Sequence, residues 1–121
     1  MVDPYTILFV EDDQTVREST AQILASKGFR MLVAQDGYEA LRLLVENHVD
    51  VLFTDIVMPD LDGIELAKKA RLLRPDLKIM FMTGYYSRAA DATRLGVGRL
   101  LFKPLRGAEI ASELQTFLAA G

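Results

Sequence analysis

Asp50-Val51-Leu52-Phe53-Thr54-Asp55 runs directly into Ile56-Val57-Met58-Pro59-Asp60-Leu61-Asp62-Gly63, and then into a segment of helical spacing. Residues 50–54 form a short, nearly continuous apolar run rich in β-forming side chains. Such a run predicts a strand buried on both faces, as in a parallel sheet covered by helices. Asp62-Gly63-Ile64-Glu65 resembles a capping box, with Asp62 at the N-cap and Glu65 three residues on. It opens a predicted helix over 62–73 with Ile64, Ala67 and Leu72 near one stripe. Pro75 follows, where a helix cannot continue.

The same unit recurs on both sides. Residues 5–10, 30–34, 78–82 and 98–102 repeat the apolar β-rich pattern. Helical spacing appears over 13–27 (Val16, Thr20, Ile23, Leu24), 37–47 (Ala40, Leu41, Leu44) and 107–119 (Ile110, Leu114, Phe117, Leu118). A more polar segment over about 86–95 fits the same slot. Lys27-Gly28 reads as a helix end with glycine just past it. A strand followed by a helix, five times over, implies an α/β fold with a parallel sheet and right-handed crossovers. Five strands suit an open, doubly wound sheet, and such sheets bind ligands at the carboxyl ends of their strands.

Polar chemistry collects at those ends. The first strand is followed by Glu11-Asp12-Asp13, the third by Asp55, the fourth by Thr83-Gly84 and the fifth by Lys103-Pro104. Three carboxylates in one pocket repel each other unless a cation is present. Oxygen donors without nitrogen or sulfur partners suit Mg²⁺. Acids with a cation on one side, and a lysine with a hydroxyl on the other, suit a phosphoryl group, whose oxygens need positive charge and hydrogen-bond donors. A carboxylate is a competent nucleophile for it.

Singly, each of these residues has an ordinary explanation. Asp55 could end a strand in a turn, the acids at 11–13 could start a helix, Thr83 suits a strand, and Lys103 could be a solvated charge. Their joint occurrence at four strand ends is what points to a site. His48, before the third strand, belongs to the opposite end of the sheet. Met58, Met80 and Met82 read as packing.

The totals restrict the rest. The chain has 121 residues, the size of one domain, and a formal net charge of −3. That balance gives no reason to expect direct nucleic-acid binding. With no cysteine and one histidine, thiolate and His-rich metal sites are excluded. No apolar stretch approaches a membrane span, and no secretory signal is visible. A cytoplasmic protein without membrane contact is expected.

Val10-Glu-Asp-Asp13, Asp55-Ile-Val-Met-Pro-Asp-Leu-Asp-Gly63, Met82-Thr-Gly84 and Phe102-Lys-Pro104 resemble the four signature blocks of response-regulator receiver domains of two-component signalling (CheY-like). The resemblance runs over essentially the whole chain, so a single receiver domain over 1–121 is expected. It implies a flavodoxin-like (βα)5 sandwich with strand order 2-1-3-4-5 and helices on both faces. It implies Asp55 as phosphoacceptor, with Mg²⁺ held by Glu11, Asp12, Asp55 and the Val57 carbonyl. Thr83 and the Gly84 amide would contact the phosphoryl oxygens, and Lys103 would pair with the group. Implied partners are a histidine kinase or histidine phosphotransfer protein and an output protein. The output would bind the face made by the helix at 86–95, the fifth strand and the last helix, on a monomer or weak dimer.

Receivers usually carry an aromatic switch three residues before the lysine, and here that position is Leu100. Phe81-Met-Thr-Gly-Tyr-Tyr86 resembles the FATGUY subgroup of single-domain receivers, which also lacks it. That likeness points to coupling through Tyr85 and Tyr86. Apart from its own phosphorylation and dephosphorylation, such a chain would turn over no separate substrate. A degenerate receiver acting as a constitutive protein-binding module is the alternative. A phosphatase working through an aspartyl phosphate would need a second acid two residues after the nucleophile, where this chain has Val57.

Overall fold

The computed structural model describes residues 3–84, 98–103 and 105–120. Tyr85, Tyr86, Pro104 and the helix expected over 86–95 lie outside the described residues. The elements are β1 (Thr6–Val10), α1 (Gln14–Ser26), β2 (Arg30–Ala34), α2 (Gly37–Glu46), β3 (Val51–Asp55), α3 (Gly63–Leu73), β4 (Lys78–Thr83), β5 (Gly98–Phe102) and α4 (Gly107–Ala119). All four strand pairs are parallel, and the sheet order is β2-β1-β3-β4-β5. The doubly wound sheet expected from the alternation is therefore present, with β2 at one edge.

The alternating strand side chains feed two cores. Leu8, Val10, Leu52, Ile79 and Phe81 pack with Ala40 and Leu44 of α2 and Ile64, Leu66, Ala67 and Ala70 of α3. Ile7, Phe9, Val51, Phe53, Met80, Met82 and Leu101 pack with Leu24 of α1 and Ile110, Ala111, Leu114 and Leu118 of α4. Helices thus cover both faces. Phe9 and Phe53 stack across β1 and β3 with ring centroids 5.1 Å apart. Every residue of β1 and β3 is buried, whereas β2 is half-exposed, as an edge strand should be.

Short polar side chains set the helix starts. Asp13, Asp36 and Asp62 each accept a hydrogen bond from the amide three residues on, at 2.8–2.9 Å. Gly28 ends α1 at φ +99°, a left-handed conformation that favours glycine. Two predicted core residues fall elsewhere. Leu72 is 84% exposed. The buried stripe of α3 runs through Gly63, Leu66, Ala67 and Ala70, and at 3.6 residues per turn Leu72 sits about 140° around the helix from Ala67. Ile23 is 39% exposed and lies at the edge of the α1–α4 contact. There a Cβ on Gly107 would meet three Ile23 carbons within 2.9 Å.

Candidate functional site

The chain leaves three central strands carrying its polar groups. Glu11 directly follows β1 and is 1% exposed, with its amide donating to the Ala34 carbonyl of β2 at 3.1 Å. Asp55 is the last residue of β3, one position later than the apolar run alone suggests, and is 5% exposed. It pairs in register with Met82, which places Thr83 one step further along the neighbouring strand. Thr83 is fully buried, and its carbonyl accepts from the Lys103 amide at 2.9 Å.

These placements converge the acids and the lysine. Lys103 Nζ donates to Asp55 Oδ2 at 2.6 Å and to Glu11 Oε1 at 3.3 Å. Carboxylate oxygens of Glu11, Asp12 and Asp55 all lie within 4.8 Å of one another. They open into a cleft of about 390 Å³ that Val57, Gly84 and Lys103 also line. The Val57 amide donates to Asp55 Oδ1 at 3.2 Å, leaving that carboxylate held from two sides. Asp13 also lines the cleft, but its Oδ1 accepts from the Val16 amide as the cap of α1.

The loop behind Asp55 is fixed by backbone contacts. The Ile56 amide donates to the Met82 carbonyl at 3.1 Å, and the Gly63 amide to the Ile56 carbonyl at 2.8 Å. A Cβ at Gly63 would sit 2.9 Å from Ile56 Cα and collide with the Asp55 carbonyl oxygen. Asp60 takes the turn at φ +67°, a conformation that aspartate tolerates better than most residues.

The electrostatics follow from burial. Burial, with the Asp55 charge next, pushes Glu11 up to about 7, although Lys103 pulls it down. Burial disfavours the Lys103 ammonium, but its bond to Asp55 and the charges of Asp55 and Glu11 outweigh this and hold it above the ordinary lysine value. Burial and the Asp55 charge together therefore outweigh the pull of Lys103 on Glu11.

Of the residues singled out from sequence, Glu11, Asp12, Asp55, Val57, Gly84 and Lys103 meet in this cleft. Leu100 instead packs, half-buried, against the α2–α3 core. His48 is exposed and bonds Asp50 at 2.9 Å. Arg17 escaped notice: its Nη1 donates to the carbonyls of Glu11 at 2.9 Å and Asp12 at 3.4 Å. The available signal was a cation one helical turn past the acids. No helix among the described residues is long and apolar enough to cross a membrane.

Residues 7–115 match the family model of the response regulator receiver domain. CpdR, a response regulator receiver protein of Brucella abortus, is 38% identical over 118 residues, covering 94% of this chain and 97% of CpdR. The response regulator MprA of Mycobacterium sp. (strain KMS) is 36% identical over 95% of this chain, which spans 51% of MprA. The crystal structure of a CheY-like receiver domain protein from Methanospirillum hungatei superimposes with a TM-score of 0.90 at 28% identity, covering 97% of this chain and 95% of that one. That of TrrA from Thermotoga maritima, in complex with Mg²⁺-BeF, gives 0.85 at 26% identity, covering 93% and 98%. With the sheet order and the acid-lysine cleft in place, the match establishes that this chain belongs to the response regulator receiver domain family.

Proposed function

We propose that this chain is a phosphorylation switch in which Asp55 accepts a phosphoryl group from a histidine kinase or a histidine phosphotransfer protein. One observation carries the reading. A lysine ammonium lies 2.6 Å from a buried strand-end carboxylate, beside two further carboxylates. Such a set has little purpose unless a cation and an anionic group both visit it.

The donor set fits Mg²⁺. Its carboxylates are hard oxygen ligands within reach of one ion, and burial, with the Asp55 charge next, raises Glu11 in spite of Lys103. Asp12 and Asp55, with Glu11 acting mostly through water and the Val57 carbonyl as a further ligand, would hold the ion. Mg²⁺ supplies positive charge that screens the acids and the phosphoryl oxygens. The Mg²⁺-BeF complex of TrrA supports the same chemistry here.

The protein's own groups do the rest. An Asp55 carboxylate oxygen attacks phosphorus. The O–P bond forms as the P–N bond of the donor breaks, and the histidine ring leaves with that electron pair and takes up a proton. Lys103 transfers its bond from Asp55 to a phosphoryl oxygen. Thr83 and the Gly84 amide supply hydrogen bonds to the others. In dephosphorylation water attacks phosphorus, inorganic phosphate leaves and the carboxylate returns. The output is a changed affinity for a partner protein at the face containing β5 and α4, with Tyr85, Tyr86 and Leu100 on the coupling route. Phosphate shifts that face only by stabilising one state more than the other.

Amide NMR spectra with Mg²⁺ and beryllofluoride test this. Shifts around Asp55, Thr83 and Lys103 that vanish in Asp55→Asn are expected. No response would overturn the proposal and favour a constitutive binding module, and steady hydrolysis of phosphate esters would overturn it in favour of a phosphatase.

A further inference from the structure

The turn from β1 into α1 carries two of the three clustered acids, and little in the turn itself holds it. Glu11 is anchored at its amide by Ala34 on the β2 side. Its side chain Oε2 receives only a long 3.4 Å bond from the Asp13 amide. Asp12 is exposed. The carbonyls of both acids precede the helix and take no part in its ladder, whose first bond joins the Arg17 amide to the Asp13 carbonyl at 2.9 Å. Repulsion among the carboxylates works against their convergence here, and Lys103 offsets it at Glu11 Oε1, 3.3 Å away.

The Arg17 side chain closes it. One guanidinium nitrogen reaches back over the first turn of α1 and bonds both orphan carbonyls, at 2.9 and 3.4 Å. Arginine suits the task because its planar fork loses less freedom per bond than a flexible ammonium. We infer that Arg17 is a positioning residue that holds the Glu11-Asp12 turn in the shape a divalent cation requires. The inference rests on the cation site of the proposed function.

Two physical effects of removing Arg17 have opposite signs. As a bare positive charge near the acids, it opposes cation binding, so its loss would tighten the site. As a clamp on the two carbonyls, it keeps the acids convergent, so its loss would loosen the site. Groups that orient metal ligands usually account for ten- to a hundredfold in affinity. Arg17 grips the ligands' backbone rather than their side chains, so an effect of about tenfold, at the low end of that range, is expected.

The experiment is an Mg²⁺ titration of the full chain, followed by amide shifts, in wild type, Arg17→Met and Arg17→Lys. Methionine keeps much of the apolar stem and removes the donors. Lysine keeps the charge and one donor group. The expected result is a Kd about tenfold weaker in Arg17→Met and intermediate in Arg17→Lys. Metal-free Arg17→Met should also show faster hydrogen exchange at the Asp13 amide while core amides stay protected. Lost stability alone leaves the Kd of the folded protein unchanged, which separates positioning from folding. Equal or tighter binding in Arg17→Met, with wild type binding normally, overturns the inference and leaves the phosphorylation reading standing. Failure of wild type to bind Mg²⁺ overturns the cation site itself, and then unchanged exchange at Asp13 overturns the clamp as well.

Discussion

Glu11 makes the metal-free protein pay for its pocket as pH rises. Its ordinary value of 4.5 is lifted to about 7, first by burial and second by the Asp55 charge. The Lys103 ammonium at 3.3 Å pulls the other way and is already contained in that figure. An acid whose folded value lies above its unfolded one binds more protons when folded across that window. Its contribution is therefore fully present below about 4.5 and is lost as pH rises through about 7. At about 1.4 kcal/mol per pH unit, the gap corresponds to about 3 kcal/mol, with no allowance for solvent screening because the side chain is 2% exposed. Urea unfolding of wild type and Glu11→Gln, in chelator and across pH 4.5 to 7.5, brings out this group, since Lys103, which also feels Glu11, is held above the ordinary lysine value and so titrates outside that range. The difference in stability between them should move by about 3 kcal/mol across the range, wild type losing ground as pH rises. Parallel curves, or wild type gaining on the variant with pH, would refute the reasoning.

Three further substitutions test the fold around the site. Gly63→Ala puts a methyl group against the Ile56 Cα and the Asp55 carbonyl, so it should lower stability by about 3 kcal/mol in urea unfolding, the upper end for overpacking because backbone must move. Asp13→Ala removes the α1 cap, a 2.9 Å bond to the Val16 amide, and should lower stability by about 1 kcal/mol while acetyl phosphate still labels Asp55. Leu72→Glu replaces a residue that is 84% exposed and should change stability by no more than about 0.5 kcal/mol, whereas a core residue at that position would show a loss several times larger.

The fold was legible because parallel strands buried on both faces leave uninterrupted apolar runs, and Val51-Leu52-Phe53 is such a run. The helix starts were legible where a side chain does the capping, as at Asp62. Leu72 was misread because Ile64 and Ala67 by themselves leave the centre of the stripe undetermined. The α3 face is fixed by Ile64 and Leu66 together with small residues, Gly63, Ala67 and Ala70, that pack closely without looking strongly apolar. At the site, residue types and strand ends revealed the acids and Lys103. Arg17 offered only a cation one helical turn past the acids, and its role stayed hidden because it acts on carbonyls, which every residue has. The hold on Gly63 is equally hidden, since its identity suggests a turn and only coordinates reveal the Asp55 backbone pressed against it.

In the pocket, local rules conflict with the fold. Burying Glu11 and Asp55 side by side works against stability, and Lys103 offsets only part of that. Conflicts of this kind concentrate at functional sites. They also set a linkage. A divalent cation that binds only the folded chain stabilises it in proportion to the logarithm of its concentration, and it favours the ionised form of Glu11. Cation binding below about pH 7 should therefore release a proton from Glu11, and Mg²⁺ affinity should climb with pH up to that point and then level. Calorimetric Mg²⁺ titrations in two buffers of different ionisation heat, at pH 6 and pH 8, would expose the proton. Release at the lower pH that disappears in Glu11→Gln is the expected result. Identical heats in both buffers at pH 6 would mean that Glu11 keeps its proton in the cation-bound chain, and that the repulsion in this pocket is relieved by some other group.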